Sequence, residues 1–307
     1  MNAFIGSLDN EQCEQIRLES EELYFAQRLK QAHAKVVEAL RVAIQIYGKA
    51  SLHLVPFYLL LIDILLREKQ LKPSEKMLSL VNWLLIKNGD TLVSTAKFSE
   101  ETTRHFQIRM NKLYSLLHLE YEAFLEGLQC AANGTYHCSL LFGPDHVYTS
   151  ELYFCLGITF HRMQRGTLLK ESRQDGQKNN ELQQQIQQND RSLAMLDKVV
   201  DIWQCFLTNP PQNLAAWKLE HRRLLQEANL MLHQIVSMRE TLLGAKHITT
   251  GQVQYTLGLL LLLLQDKDQA KVFVKQAADI YVTELGSEHP STVEVIGALR
   301  ELDEIGS

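Results

Sequence analysis

The stretch LLGAKHITTGQVQYTLGLLLLLLQDKDQAKVFVKQAADIYVTELG, residues 242–286, decides the fold of this chain. It runs from one Leu-Leu-Gly to the next Glu-Leu-Gly, and Gly286 stands forty-two positions after Gly244. Helices are predicted over His247–Leu264 and Gln269–Thr283 from the helical spacing of their apolar residues. A helical hairpin of this length cannot bury its apolar face alone, so a period in this range marks stacked hairpins, each leaning on its neighbours. The same phrase, an aromatic residue or Leu followed by Gly at a helix end, appears at Ile46-Tyr47-Gly48 and Leu141-Phe142-Gly143, and Gly89 follows Gly48 at nearly the same interval. The expected architecture is therefore all-α: a tetratricopeptide-like α-solenoid of about six helical hairpins plus a C-terminal capping helix, forming one superhelical domain over residues 1–307.

Small residues sharpen that reading. Leu257-Gly258 is followed by Ala270 after twelve positions and Ala277 after seven more, the spacing of a tetratricopeptide repeat, where Gly and Ala let paired helices approach closely. Leu156-Gly157 with Phe160 opens another copy, and Ile296-Gly297 reads as the opening of the capping helix. The apolar run Leu257–Leu264 contains six consecutive leucines. It is far shorter than the ~18 to 20 apolar residues of a membrane span, and reads as a helix buried between two layers.

Working outward, a long helical pattern runs from Glu11 to Tyr47 with a break near Gln31, and Gly48 stops it as a left-handed cap would. Ser51 offers an N-cap, Pro56 fits the opening turns, and the stretch to Leu66 is apolar nearly all round. A turn at Lys69–Lys72 leads to a helix opened by Pro73 and closed at Asn88-Gly89-Asp90. After a looser Thr91–Lys97, Ser99 caps a helix with Glu100 and Glu101 in its first turn. A division near Tyr121-Glu122 separates it from a second helix that ends at Gly143-Pro144. From His146 a helix carries Leu152, Tyr153, Leu156, Ile158 and Phe160 inward and fades by Arg165-Gly166. Residues 166–190 hold seven glutamines and few apolar residues, and read as an extended loop inserted into one hairpin. The partner helix resumes at Leu193 and stops at Asn209-Pro210-Pro211. Helices at Leu214–Ala228 and Asn229–Leu243 precede the quoted stretch, and one over Pro290–Leu302 comes after it. Asp201-Ile202-Trp203 recurs as Asp279-Ile280-Tyr281, close to two repeat lengths further along.

Composition closes several function classes. Of the 307 residues 46% are hydrophobic, enough for a large core, and the formal net charge of −5 leaves no basic surplus for nucleic acid or an anionic membrane. Met1–Asn10 lacks the basic and apolar regions of a secretory leader. Cys13, Cys130, Cys138, Cys155 and Cys205 are odd in number with no Cys-x-x-Cys, which favours reduced, buried thiols in a cytosolic protein over a disulfide framework. There is no Gly-rich phosphate loop, no His-Glu-x-x-His and no Gly-x-Ser-x-Gly. His137 and Cys138 are adjacent on a helix and point about 100° apart, so they cannot meet as a catalytic pair. His146 and His289 follow Gly143 and Gly286 where an imidazole can cap a turn. No catalytic, cofactor-binding or metal-binding residue is assigned.

Three segments carry a resemblance to a known family: Tyr47-Gly48-x-x-Ser51-x-x-Leu54-Val55-Pro56-x-Tyr58-Leu59-Leu60-Leu61, Phe142-Gly143-x-Asp145-x-x-x-Thr149-Ser150-x-x-Tyr153-Phe154-x-Leu156, and Val199-x-x-Ile202-Trp203-x-x-x-Leu207. Together they resemble the tetratricopeptide region of the zinc finger MYND domain-containing protein 12 family. The resemblance covers about Ala34 to Leu207, and the remainder follows by repeat pattern. The name-giving zinc finger needs clustered Cys and His ligands ahead of the repeats, and Cys13 alone stands there, so no zinc function carries over. The resemblance implies a non-catalytic scaffold of the ciliary or flagellar axoneme, in the cytoskeleton. The implied partners are an inner-arm dynein heavy chain, tetratricopeptide repeat protein 29 and other doublet-microtubule proteins. The rival is a general cytosolic cargo or chaperone adaptor.

Stacked hairpins present a groove lined by the first helix of each pair. Projecting the Leu-Gly register of the Leu257 unit onto the others places Asp63, Arg67, Glu151, Phe154, His161, Arg162, Gln252 and Tyr255 toward it. Phe154, Tyr255 and Arg162 are the expected anchors, because aromatic and Arg residues carry most interface energy.

Overall fold

The computed structural model describes the backbone of residues 2–89, 100–171 and 178–305, with side chains over 11–88, 100–164 and 189–302. The described residues are all-α, with helices α1 (Asn2–Phe25), α2 (Leu29–Tyr47), α3 (Val55–Arg67), α4 (Leu71–Gly89), α5 (Glu100–Glu120), α6 (Phe124–Phe142), α7 (Val147–Glu171), α8 (Lys178–Thr208), α9 (Leu214–Glu220), α10 (Arg222–Leu242), α11 (Ile248–Leu263), α12 (Lys267–Leu285) and α13 (Pro290–Ile305). Consecutive helices pack on one another in the manner of a helical solenoid. Thr91–Lys97 and the Ser99 cap lie outside the described residues.

The expected single domain divides into two compact units, one of residues 1–141 with 158–189, the other of 142–157 with 190–307. The division falls inside α7 and α8, so each unit holds part of both helices.

In the first unit α1 and α2 are joined by small residues. Ala32, Val36, Ala39 and Ala43 form the buried stripe of α2. The Ser20 hydroxyl donates to the Ala32 carbonyl at 2.8 Å and the Cys13 thiol to the Ala39 carbonyl at 3.3 Å. These bonds step seven positions along each helix in opposite directions, which fixes an antiparallel register. Burial, reinforced by the Glu14 charge, pushes the Cys13 thiol up to about 11, so it stays a packing group. The next helix, α3, buries every residue from Phe57 to Leu66 and is packed by α2, α4 and α5. Its all-round apolar sequence therefore matches its sandwiched place, and the Ser51 hydroxyl caps the turn before it by accepting from the His53 N–H at 3.2 Å.

Turns alternate between two chemistries. Within hairpins the chain reverses through a left-handed residue that is not glycine: Gln27, Lys69, Glu122 and Gln265 have φ between 59° and 69°. Each ends its helix in a pair of backbone bonds, as when the Gln265 and Asp266 N–H groups donate to the Leu262 and Leu261 carbonyls. Between hairpins the chain uses Gly48, Gly143, Gly244 and Gly286, all with positive φ. Gly48 differs from the expected left-handed cap, and Gly286 shares its geometry, with ψ of 160° and 161°, a region open essentially to glycine alone. Gly286→Ala is expected to lower stability by about 1–3 kcal/mol. Gln265→Gly is expected to raise it, because a non-glycine left-handed residue costs about 1–2 kcal/mol and added chain entropy returns only about half of that. Opposite shifts in the urea midpoint check the pair.

In the second unit the hairpins α7/α8 and α11/α12 are the same structure at two lengths. A Cβ on Gly157 would meet Leu196 at 2.6 Å and the Ser192 carbonyl at 3.4 Å; one on Gly258 would meet Val274 at 2.5 Å and the Ala270 carbonyl at 3.4 Å. Leu196 stands thirty-nine positions after Gly157, whereas Val274 stands sixteen after Gly258. Ser150, which accepts from the Trp203 indole at 2.9 Å, stands fifty-three positions before it, and Gly251, facing Tyr281, stands thirty before its own partner. Both comparisons differ by twenty-three. The inserted residues are helical wherever they are described, contrary to the extended loop expected over 166–190. Instead of fading by Arg165-Gly166, α7 runs to Glu171, and α8 begins at Lys178 rather than Leu193; residues 172–177 lie outside the described residues. Gln, Glu and Lys are good helix formers, and Leu182, Ile186, Leu193 and Leu196 keep helical spacing in the sequence, so polarity alone was the wrong guide.

A further expectation needs correction. The helices expected at Leu214–Ala228 and Asn229–Leu243 break instead at His221, whose ring lies 4.2 Å from that of Trp217 and whose Nδ1–H donates to the Trp217 carbonyl at 2.9 Å. Ala228 is fully buried in mid-helix. Gly297, read as the opening of the capping helix, lies in mid-α13 with nothing within 4 Å of a Cβ position. Gly157 and Gly258, which do meet a partner helix, stand fourteen positions after Gly143 and Gly244, and that place after Gly286 holds Arg300.

Candidate functional site

The residues after each inter-hairpin glycine form a repeated capping module. Three positions on, Ser51, His146, His247 and His289 accept the N–H two residues later at 3.2–3.3 Å, so each imidazole serves as a helix cap. Six positions on, the buried hydroxyls of Thr149 and Thr250 donate to the Gly143 and Gly244 carbonyls at 2.9 and 3.0 Å, and that of Thr292 to the Tyr281 carbonyl at 3.3 Å. Burial, with a smaller effect from His221, holds His146 below the ordinary histidine range, which keeps it neutral and able to accept. The sequence flagged His146 and His289 as caps; His247 fills the same place and was missed, although the three-residue offset from Gly was there to read.

The eight projected groove residues are divided between the two units. Asp63, Arg67, His161 and Arg162 belong to the first unit, and Glu151, Phe154, Gln252 and Tyr255 to the second. Three are core residues, which corrects their placement on a groove. Asp63 is 5% exposed and accepts from Arg109 at 2.7 Å, Phe154 is 8% exposed, and Tyr255 is 4% exposed with its hydroxyl donating to Glu294 at 3.1 Å. Phe154 and Tyr255 are therefore unsuited to anchor a partner. The helices that carry them are packed on nearly every side, so no pattern in the sequence marks an outward face. Glu151 and His161 are half-buried. Gln252 donates to Asp201 and Gln204, both at 3.1 Å, and so ties α11 to α8.

Arg67 and Arg162 are exposed, and both are engaged within the chain. Arg67 donates to the Tyr24 hydroxyl at 3.1 Å with its guanidinium 5.1 Å from the ring centroid. Arg162 donates to Glu120 at 3.0 Å, and Lys69 reaches the other oxygen of the same carboxylate. Burial pushes Glu120 upward, but the Lys69 hydrogen bond and the Arg162 charge outweigh it and hold the carboxyl below its usual range.

An uncharged groove between α4 and α5 was not foreseen. It encloses about 460 Å³, with Leu85, Met110 and Tyr114 at its floor and Ile86 on its rim. Burial raises the Tyr114 phenol above its ordinary value, so it too stays neutral. Asn82, Gln107 and Asn111 line the walls with side-chain amides. The signal was present: Thr103, Gln107, Asn111 and Tyr114 share one face of α5, a polar stripe beside the apolar Met110. Other large apolar side chains are also exposed, among them Trp83 on α4 and Leu125, Tyr136 and Leu140 along one face of α6. Among the described residues no helix is long and apolar enough to cross a membrane. No family model matches the chain.

Proposed function

We propose that this protein is a non-catalytic scaffold subunit of the ciliary or flagellar axoneme. It docks or stabilises an inner-arm dynein assembly together with tetratricopeptide repeat protein 29. The observation that carries the adaptor reading is the set of large apolar side chains held outward on rigid helices, with Leu125, Tyr136 and Leu140 at 70%, 63% and 68% exposure along α6. Such patches on a folded protein mark sites for other polypeptides. The axonemal placement is supported by the family resemblance through Tyr47–Leu61, Phe142–Leu156 and Val199–Leu207. Many residues of those segments make turns and core in this chain, such as Gly48, Ser51, Gly143, Thr149 and Trp203, so the resemblance reaches the residues on which the fold depends.

A chaperone clamp is the weaker reading, because it needs basic residues directed at a partner's carboxylate, and Arg67 and Arg162 are already committed to Tyr24 and Glu120. A methyl-transfer role would need a β-rich cofactor domain, and the described residues contain no strand. The deciding experiment tags the protein in a flagellated cell and extracts with detergent. The expected result is retention in the axonemal pellet and release by high salt together with an inner-arm dynein heavy chain. Recovery in the detergent-soluble fraction would overturn the axonemal reading.

A further inference from the structure

The groove between α4 and α5 opens onto the core of the first unit, and its chemistry is specific. Its volume, about 460 Å³, falls within the range of about 300–1,000 Å³ typical of ligand clefts. The floor is apolar and closed: Leu85 and Met110 are 6% and 5% exposed. The walls carry amides at Asn82, Gln107 and Asn111, and among the described residues none lining the groove bears a formal charge. Trp83, on the neighbouring face of α4, is 49% exposed with the Lys87 ammonium 4.7 Å from its ring centroid.

We propose that this groove binds an extended, uncharged peptide segment of a partner protein, with Gln107, Asn111 and Asn82 reading its main chain and Leu85, Met110 and Ile86 receiving its apolar side chains. Three physical arguments select that occupant. Thr103, Gln107 and Asn111 follow one another every four residues on α5, a step of about 6 Å along the helix. An extended chain repeats the orientation of its peptide groups every two residues, about 6.6 Å, so the ladder of polar side chains and the peptide keep nearly the same step. Each side-chain amide both donates and accepts, which is what a peptide group requires of its partner. A helical occupant satisfies its own main chain and would leave these amides facing apolar surface. Finally, the neutral lining selects by charge: an ionised side chain entering the groove would lose water and gain no counter-charge, whereas an apolar one is stabilised by the floor. Trp83 and the exposed Ile86 flank the entrance, where a Trp is the kind of residue that anchors an interface.

The inference rests on the adaptor reading and not on the axonemal one. Its test uses a phage-displayed library of random twelve-residue peptides selected on the full chain. The enriched peptide, made synthetically, is then titrated against the wild-type protein, Ile86→Lys and the double variant Gln107→Ala/Asn111→Ala. The expected peptides are uncharged at their centre with apolar residues two apart, and both variants weaken binding by about tenfold or more. Ile86 and Gln107 are exposed, so the melting temperature is expected to hold, which separates lost binding from lost folding. Absence of enrichment, equal affinity for wild type and variants, a charged centre, or helix formation on binding would overturn the proposal. So would a wild-type dimer that Ile86→Lys dissociates, which would give the groove to a second copy of the chain. Soluble fractionation in a flagellated cell, with peptide binding intact, would overturn the axonemal placement and leave this site standing.

Discussion

Replacing Gly258 by alanine is expected to destabilise the protein, while the same replacement at Gly297 is expected to stabilise it. In both helices alanine gains about 1 kcal/mol of helix propensity over glycine. At Gly297 nothing lies within 4 Å of the new methyl group, so the gain is kept. At Gly258 the methyl would sit 2.5 Å from Val274 Cγ2 and 3.3 Å from the Val274 backbone nitrogen. Val274 is fully buried and, being β-branched, has one favoured rotamer in a helix, so it cannot swing aside. Overpacking of this kind costs about 1–3 kcal/mol, which offsets and exceeds the propensity gain. Gly258→Leu pushes α12 away bodily and is expected to abolish cooperative unfolding of the second unit. Val274→Ala is expected to rescue Gly258→Ala, so that the double variant is more stable than the sum of the singles. Gly157 should be more tolerant, since its close neighbour is the unbranched-at-Cβ side chain of Leu196. Urea denaturation of these variants reads all of this; a destabilising Gly297→Ala, or an additive double variant, would refute the contact-based account.

The second large effect is expected at Arg239. Five positions before each inter-hairpin glycine the chain buries Ala43, Cys138 and Tyr281, and at Arg239 it buries a guanidinium with no exposed side-chain surface. Arg239 donates to the Asp197 carboxylate and to the Thr249 carbonyl, and its Nε has no hydrogen-bond partner among the described residues. Burial lowers the Arg239 guanidinium and raises the Asp197 carboxyl, each from its ordinary value and in spite of their attraction. Both shifts point the same way: the site disfavours charge more than the pair restores it. Arg239→Met, which keeps the bulk and removes the charge, is therefore expected to be neutral or stabilising. Asp197→Asn resembles the neutral acid that the raised carboxyl shows the folded site to favour, and with Asp197 49% exposed it is expected to change stability by less than about 1 kcal/mol. Arg239→Ala, which removes the bulk as well as the charge, is expected to cost about 3 kcal/mol. A strongly destabilising Arg239→Met would show that the guanidinium holds α8, α10 and α11 together instead of burdening them. On the acid side, a carboxyl raised in the folded state contributes stability that is present below its unfolded value, about 3.9, and lost as pH rises through the folded value. Asp197→Asn should flatten that part of the pH profile.

The legibility of the candidate site was uneven for a physical reason. Projecting one register along the chain sends Asp63, Phe154 and Tyr255 outward, yet their helices are packed on nearly all sides. In α11 nearly every residue from Thr250 to Leu261 is buried, so apolar periodicity vanishes and carries no direction. The α4/α5 groove needed two helices brought side by side, and neither amide stripe nor apolar floor has meaning until the other is in place.

Local covalent chemistry, by contrast, was fully written in the sequence. Gly48, Gly143, Gly244 and Gly286 mark the hairpin boundaries because other residues resist their backbone angles, and Ser51 and the three histidines cap the helical turns beyond them. Gly157 and Gly258 announce where helices touch because only the absence of a Cβ permits that distance. The tertiary structure alone decided that the break before α10 falls at His221 and that the chain forms two units. Those outcomes depend on what lies across from a residue, such as Tyr148 against His221, and a neighbour in space leaves no mark at a fixed distance along the chain.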